Sequence, residues 1–339
     1  MPNKDYILEF AKEILAIPSP SGFCGEVIKR VQQEAEKYGL EFVTTLKGNG
    51  IITLKGKDDY TIGLSAHVDT LGAMVRSIST ETLKFTSIGG PIWATLDGEY
   101  CKVHTRDGRE YTGTILSTSP AVHVYKDANS KDRKPESMEV RLDEIVKSKE
   151  DIEKLGIEVG NFISIDPKTT ITKSGFIKSR FLDDKINVAS LFGLIEYLQR
   201  NKITPKHTLK FVISTYEEVG HGAAWIPQDI KEIIAVDMGC IGDDLSCTEY
   251  DVSICAKDSS GPYDYGMTNE LVKLSKENNL QFAVDIYPYY GSDVSAALRG
   301  GNNIKGALIG PGVHASHGME RTHYQAIENT VKLLVEYVK

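Results

Sequence analysis

Long apolar runs are missing from this chain. No segment approaches the roughly 18 consecutive apolar residues of a membrane-crossing helix, so no contact with a membrane is expected. A secretory leader is not expected either, because Glu9, Lys12 and Glu13 interrupt the opening MPNKDYILEFAKEILAIPSPSG at helical spacing. Cysteine is scarce: Cys24, Cys101, Cys240, Cys247 and Cys255 are odd in number and form no CxxC pair. That argues against a disulfide framework and a thiolate zinc site, and a reducing cytoplasmic setting is the natural expectation. Excess positive charge is also absent. With 39 Lys+Arg against 47 Asp+Glu, the formal net charge of -8 disfavours nucleic acid as a partner.

What is present is enough chain for more than one core, since 339 residues suggest about two domains. The first 70 residues read as two helices, stopped and separated by IPSPSG, then short β-rich runs ending at TIGLSAH. From about 71 to 170 the texture changes to short alternating segments such as LKFTSI, EYCKVHT and TGTILST, cut by Gly, Asp and Pro turns. This predicts an inserted β-rich module. Within it KDANSKDRKPES, Lys126 to Ser137, carries no large apolar residue and reads as a mobile loop. From 171 to 339 strands alternate with helices, which predicts an α/β fold with a mostly parallel or mixed sheet flanked by helices. Residues 1–70 and 171–339 then form one domain, interrupted by the module at 71–170.

Acidic and histidine residues recur where predicted strands end. TLKFVISTY runs into Glu217 and Glu218, TIGLSA into His67 and Asp69, and EIIAV into Asp237. In open α/β sheets ligand sites lie outside the carboxyl ends of strands. Asp183 and Asp184 precede a predicted helix, and His314, His317 and His323 follow the last predicted strand. Singly each has an ordinary reading, an aspartate before a helix as an N-cap, for example. Together, a His/Asp/Glu set without thiolates suits zinc, cobalt or manganese, and a set large enough for two ions suits hydrolysis by an activated water. Adjacent glutamates on an extended segment face opposite ways, so one can ligate metal while the other acts as base. Asp69, two residues beyond His67, suits a carboxylate that fixes the imidazole tautomer. His221, Trp225, Tyr289 and Tyr290 are candidate neighbours of the pocket.

The segments IPSPSG, AHVDTLGAMV, FLDDKI, TYEEVG, AVDMG, YYGSDVSAA and ALIGPGVHASHGMERTH occur in order across nearly the whole chain. In this combination the chain resembles the M42 family of dinuclear metallo-aminopeptidases. The resemblance implies two divalent ions per subunit, zinc or cobalt with manganese as an alternative. His67 and Asp237 would hold one ion, Glu218 and His317 the other, and Asp183 would bridge them. His314 stays open as an alternative to His317. Glu217 would be the general base and Asp69 the support of His67. Short peptides would be the substrates. The β module would serve dimerisation, in a homo-oligomer of the family's tetrahedral dodecamer type.

Two other readings share these features. An M20-like amidase or carboxypeptidase acting on N-acyl amino acids also uses an HVD segment, an acidic pair and a late histidine. A scaffold that keeps the fold without catalysis is the other, and the presence of every proposed ligand and of the base counts against it.

Overall fold

The β-branched segments TLKFVIS, TIGLSAH, IKEIIAV and KGALIGPGV become four neighbouring parallel strands: Thr208–Ser214, Thr61–His67, Ile230–Val236 and Lys305–Val313. Nearly every residue in them is buried, as a parallel sheet covered on both faces requires. This computed structural model describes residues 1–339. Antiparallel strands flank the four, so the sheet is mixed. On one side lie Gly50–Leu54 and the edge strand Glu41–Thr44; on the other, Val252–Asp258, paired in turn with Phe282–Ile286. The strand Val252–Asp258 went unread in the sequence, because VSICAKD mixes Ser253 and Lys257 into a buried run.

Helix Leu182–Arg200 packs on strand Thr61–His67 and between the helices Lys4–Leu15 and Tyr324–Val338. It is apolar nearly all round, as a helix enclosed by protein must be. At Gly193 on this helix an added Cβ would collide with Ile7, so the absent side chain sets how closely the two helices approach. The short helix Asp293–Arg299 covers Ile230–Val236 and Lys305–Val313. Its Val294 and Ala297 join Ile233 and Leu308 beneath it in a second, smaller apolar cluster.

Between the strand ending at His67 and the helix beginning at Leu182 the chain builds a closed barrel. Its strands run in the order Gly72–Ile78, Thr82–Ile88, Met138–Leu142, Glu110–Ser117, Tyr100–His104 and Phe162–Ile165, every neighbouring pair antiparallel. Val75, Leu83, Phe85, Val103, Ile115, Val140 and Ile163 are fully or almost fully buried in it. Closure leaves no sheet edge exposed. The segment 126–137, read from composition as mobile, is tied down instead. Arg133 Nε lies 2.9 Å from Asp97 Oδ2, Lys131 Nζ donates to Ser119 Oγ at 2.8 Å, and Ala128 is buried. Those partners lie far along the chain and leave no mark on local composition. A small sheet of Thr170–Ile171, Phe176–Ser179 and Glu320–His323 returns the chain to the main domain.

The strand Lys305–Val313 passes so close to Asp237 that a methyl group on Gly310 would overlap the main chain there. Gly310→Ala is therefore expected to destabilise the protein by about 1–3 kcal/mol or more and to displace Asp237. Urea unfolding of the variant beside the parent checks the first effect; an unchanged midpoint would contradict this packing.

Candidate metal centre

The carboxyl ends of the parallel strands meet where the sequence placed its acids and histidines. Asp183 lies between two imidazoles: its Oδ1 is 3.1 Å from His67 Nε2 and its Oδ2 is 3.6 Å from His317 Nε2. Glu217 Oε2 is 3.7 Å from His67 Nε2, and Glu218 Oε2 is 3.6 Å from His317 Nε2. Each ring has its other nitrogen engaged by a main-chain carbonyl at 2.9 Å, His67 Nδ1 by Asp69 and His317 Nδ1 by Gly90. That arrangement puts the proton on Nδ1 and turns the Nε2 lone pair toward the carboxylates, the orientation a metal-binding histidine needs. His67, Asp183 and Glu218 offer ligand atoms within 4.8 Å of one another, and so do His67, Asp184 and Asp237. His314 is exposed, with its main chain paired to Arg321.

Asp69 is fully buried, and its carboxylate does something the sequence did not suggest. It lies 3.5 Å from His67 Nδ1, while its Oδ1 accepts the amide of Glu217 at 3.1 Å. Its Oδ2 accepts the amide of Glu218 at 3.2 Å and the hydroxyl of Ser21 at 2.6 Å. Other buried groups hold the site in the same manner. Glu320 accepts the amides of Asp183 and His317, both at 3.0 Å. Asp293 accepts Ser214 Oγ at 2.6 Å and the amide of Ala223 at 2.9 Å. Asn49 Oδ1 accepts the Thr215 amide at 3.2 Å, and Asn49 Nδ2 donates to Gly222 O at 2.9 Å. The segment bearing both glutamates is thus fastened at each end. Glu320 and Asp293 were not singled out in the sequence, where a buried acid inside a strand or at a helix start looks like any other, and Asn49 reads there only as part of a turn. Asp184, noted only as a neighbour of Asp183, accepts the amide of His67 at 3.0 Å.

Electrostatics follow from this crowding. Burial foremost, then Asp237, Asp293 and Asp183 against the opposing His67, push the Glu217 carboxyl well above the usual range. Burial and Asp183 do the same to Glu218, and burial and Asp237 to Asp184. Asp237 is pushed up to about 7 by burial and Asp183. Asp183 alone goes down, since the contact to His67 and the charge of His317 outweigh its burial. Carboxylates so disposed call for positive charge beyond two imidazoles. Glu218 Oε1 is buried without a partner, a free lone pair among hard oxygen and imidazole donors. The residues present fit one or more divalent metal ions.

Asp183, Glu217, Glu218, Asp237 and His317 line a cavity of about 230 Å³ together with Tyr289 and Tyr290. His221 and Trp225, expected beside it, are not among its walls. His221 stacks on Tyr216, and Trp225 faces a separate groove with Val43 and Leu46.

Residues 48–333 match the model of a family described as M42 glutamyl aminopeptidase. The chain belongs to the M42 peptidase family. YhfE of Bacillus subtilis (strain 168) is 49% identical to it over 335 residues, covering 98% of this chain and 97% of that one. Among solved structures, a TET aminopeptidase from a Thaumarchaeota archaeon superposes with a TM-score of 0.89 at 22% identity, over 98% of this chain and 96% of the other. The Pyrococcus horikoshii TET1 peptidase does so with 0.85 at 22%, over 98% and 99%. At that identity the two structures speak for the fold. Membership in M42 makes this chain a peptide hydrolase of an aminopeptidase family and sets aside the M20 reading. No helix is long and apolar enough to cross a membrane.

The crowding has a measurable consequence in metal-free protein. Folded Asp237 keeps its proton to about pH 7, whereas an unfolded aspartate releases it near pH 4. Its contribution to stability is therefore full below about pH 4 and lost as the pH rises toward 7. Asp237→Asn, which cannot ionise, is expected to match the parent near pH 4 and to exceed it by about 2–4 kcal/mol near pH 7. Denaturant unfolding of both proteins in chelator checks this, and a difference independent of pH would contradict it.

Proposed function

We propose that this M42 chain is a dinuclear-metal aminopeptidase that removes the N-terminal residue from short peptides. The observation that carries the reading is the position of Asp183, one carboxylate oxygen toward each of two imidazoles, with Glu217 beside one ring and Glu218 beside the other. On this reading His67 and Asp237 would hold one ion, Glu218 and His317 would hold the second, and Asp183, set between the two imidazoles, would serve both. When bound, the ions, zinc or cobalt with manganese as an alternative, polarise the scissile carbonyl and lower the pKa of a water toward neutrality.

Glu217 is the general base. Its side chain keeps 15% of its exposure and lines the cavity. Burial and the neighbouring acids raise its proton affinity, which suits a carboxylate that must take a proton from water near neutral pH and return it to the leaving amine. Asp69 acts as a positioning residue, since its carboxylate holds the amides of Glu217 and Glu218 and its carbonyl holds the His67 ring.

The barrel of residues 72–165 is assigned, as a unit separate from the α/β domain, to subunit contact in a homo-oligomer. The P. horikoshii TET1 peptidase is described as assembling into a tetrahedron or a large octahedral shell, and a tetrahedral dodecamer of dimers is the expected particle here. Sedimentation of the native protein tests the assembly, and a monomer would overturn it. The cytoplasm is the assigned compartment, in keeping with free cysteines at every position.

The decisive experiment strips the protein of metal, restores zinc, cobalt or manganese, and offers free and N-acetylated peptides. Metal-dependent release from the free peptides alone is expected; turnover of the acetylated ones instead would overturn the reading. Glu217→Gln should lower kcat by about 10²–10⁴-fold with metal content intact. Asp183→Asn should lose metal as well, measured by elemental analysis. Near-parental kcat for Glu217→Gln would remove the base assignment.

A further inference from the structure

The cavity at the centre is walled mainly by acceptors, yet peptide hydrolysis builds negative charge on the scissile carbonyl oxygen, which calls for a hydrogen-bond donor. Four side chains outside the carboxylate and imidazole set offer one from the same cavity wall: Ser292, Arg299, Tyr289 and Tyr290. Tyr289 is almost wholly exposed to solvent. Ser292 is already committed, its hydroxyl paired with Tyr263 at 2.7 Å and capping the helix Asp293–Arg299. Arg299 is exposed to solvent at the rim. Tyr290 is different. Its hydroxyl makes a long contact to Met238 O, 3.4 Å, at the outer limit of a hydrogen bond, and otherwise faces the Asp237 carboxylate at the centre.

The ring of Tyr290 is held in place. It packs edge-on against Tyr287, with centroids 5.2 Å apart and planes at 68°. Tyr287 is almost wholly buried, and its own hydroxyl is bonded to Ser253. The main-chain carbonyl of Tyr290 accepts the amide of Ser259 at 3.1 Å. A phenol keeps its proton at neutral pH and is therefore a donor.

We propose that Tyr290 is a catalytic residue that donates its O–H to the scissile carbonyl oxygen as negative charge develops there. The proposal rests on the aminopeptidase reading above. Water oxygen bonds to the carbonyl carbon, the C=O π pair moves to oxygen, and the Tyr290 hydrogen bond shortens onto that oxygen without giving up its proton. Glu217 carries the proton of the water to the departing nitrogen as the C–N bond breaks. Because the donor is fixed before substrate arrives, its effect falls on the transition state more than on binding.

Tyr290→Phe in the full-length, metal-loaded protein tests this beside the parent. The expected result is a kcat lower by about 100-fold with KM within about threefold and unchanged metal content. A phosphinic pseudopeptide, tetrahedral and charged at the carbonyl position, should bind more weakly by a similar factor, while the free amino-acid product binds as before. A kcat near the parent's, a matching loss of metal, or equal weakening of both inhibitors would overturn the proposal. If the phenylalanine variant does not fold, 3-fluorotyrosine at position 290 replaces it, and a kcat unmoved by the more acidic phenol would overturn the proposal. A parent that cleaves no free peptide with any metal defeats the aminopeptidase reading itself, a result distinct from an active parent matched by its variant.

Discussion

Mutual repulsion among buried carboxylates is the constraint around which this molecule is arranged. Asp183, Asp184, Glu217, Glu218 and Asp237 converge where parallel strands end, in a region that water reaches poorly, with His67 and His317 as the facing bases. Burying one unpaired carboxylate already costs several kcal/mol. The apolar packing elsewhere has to carry that load. The helix Leu182–Arg200, buried on nearly all sides directly behind Asp183 and Asp184, supplies much of it.

The acids are kept apart and aimed by a second set of acids that face inward to the main chain. Asp69, Glu320 and Asp293 each accept backbone amides, and between them they hold the segments bearing Glu217, Glu218, Asp183 and His317. A carboxylate used this way satisfies its own lone pairs and fixes a loop in one contact. Strand ends set the rough location of each ligand, and these contacts set its direction.

Much of this could be read in advance. The parallel strands announce themselves as β-branched runs, and the acids and histidines stand at their ends, so the α/β fold, its β-rich part and the convergence of those side chains were legible. What was hidden depends on contacts distant in sequence. Glu320 looks like a charge on a polar strand until Asp183 and His317 come to it from far along the chain. The loop around Arg133 has the composition of a mobile segment, and only Asp97, folded against it, says otherwise. Asp69 was read by its spacing from His67, which could not tell that its carbonyl would meet the ring and its carboxylate the amides of Glu217 and Glu218.

The barrel interrupts the main domain at a telling place. Its outgoing connection leaves the strand that carries His67, and its return runs through the small sheet into Arg180, Phe181 and Asp183. The outgoing link is pinched as well, for a side chain at Gly72 would strike Pro20. The barrel is therefore joined to the ligands on either side of it by a short link from His67 and by a longer one through the small sheet to Asp183. Force on the barrel reaches the main domain through these links and through Gly90, whose carbonyl holds the His317 ring, so the geometry of the centre is also a gauge of how the barrel is held.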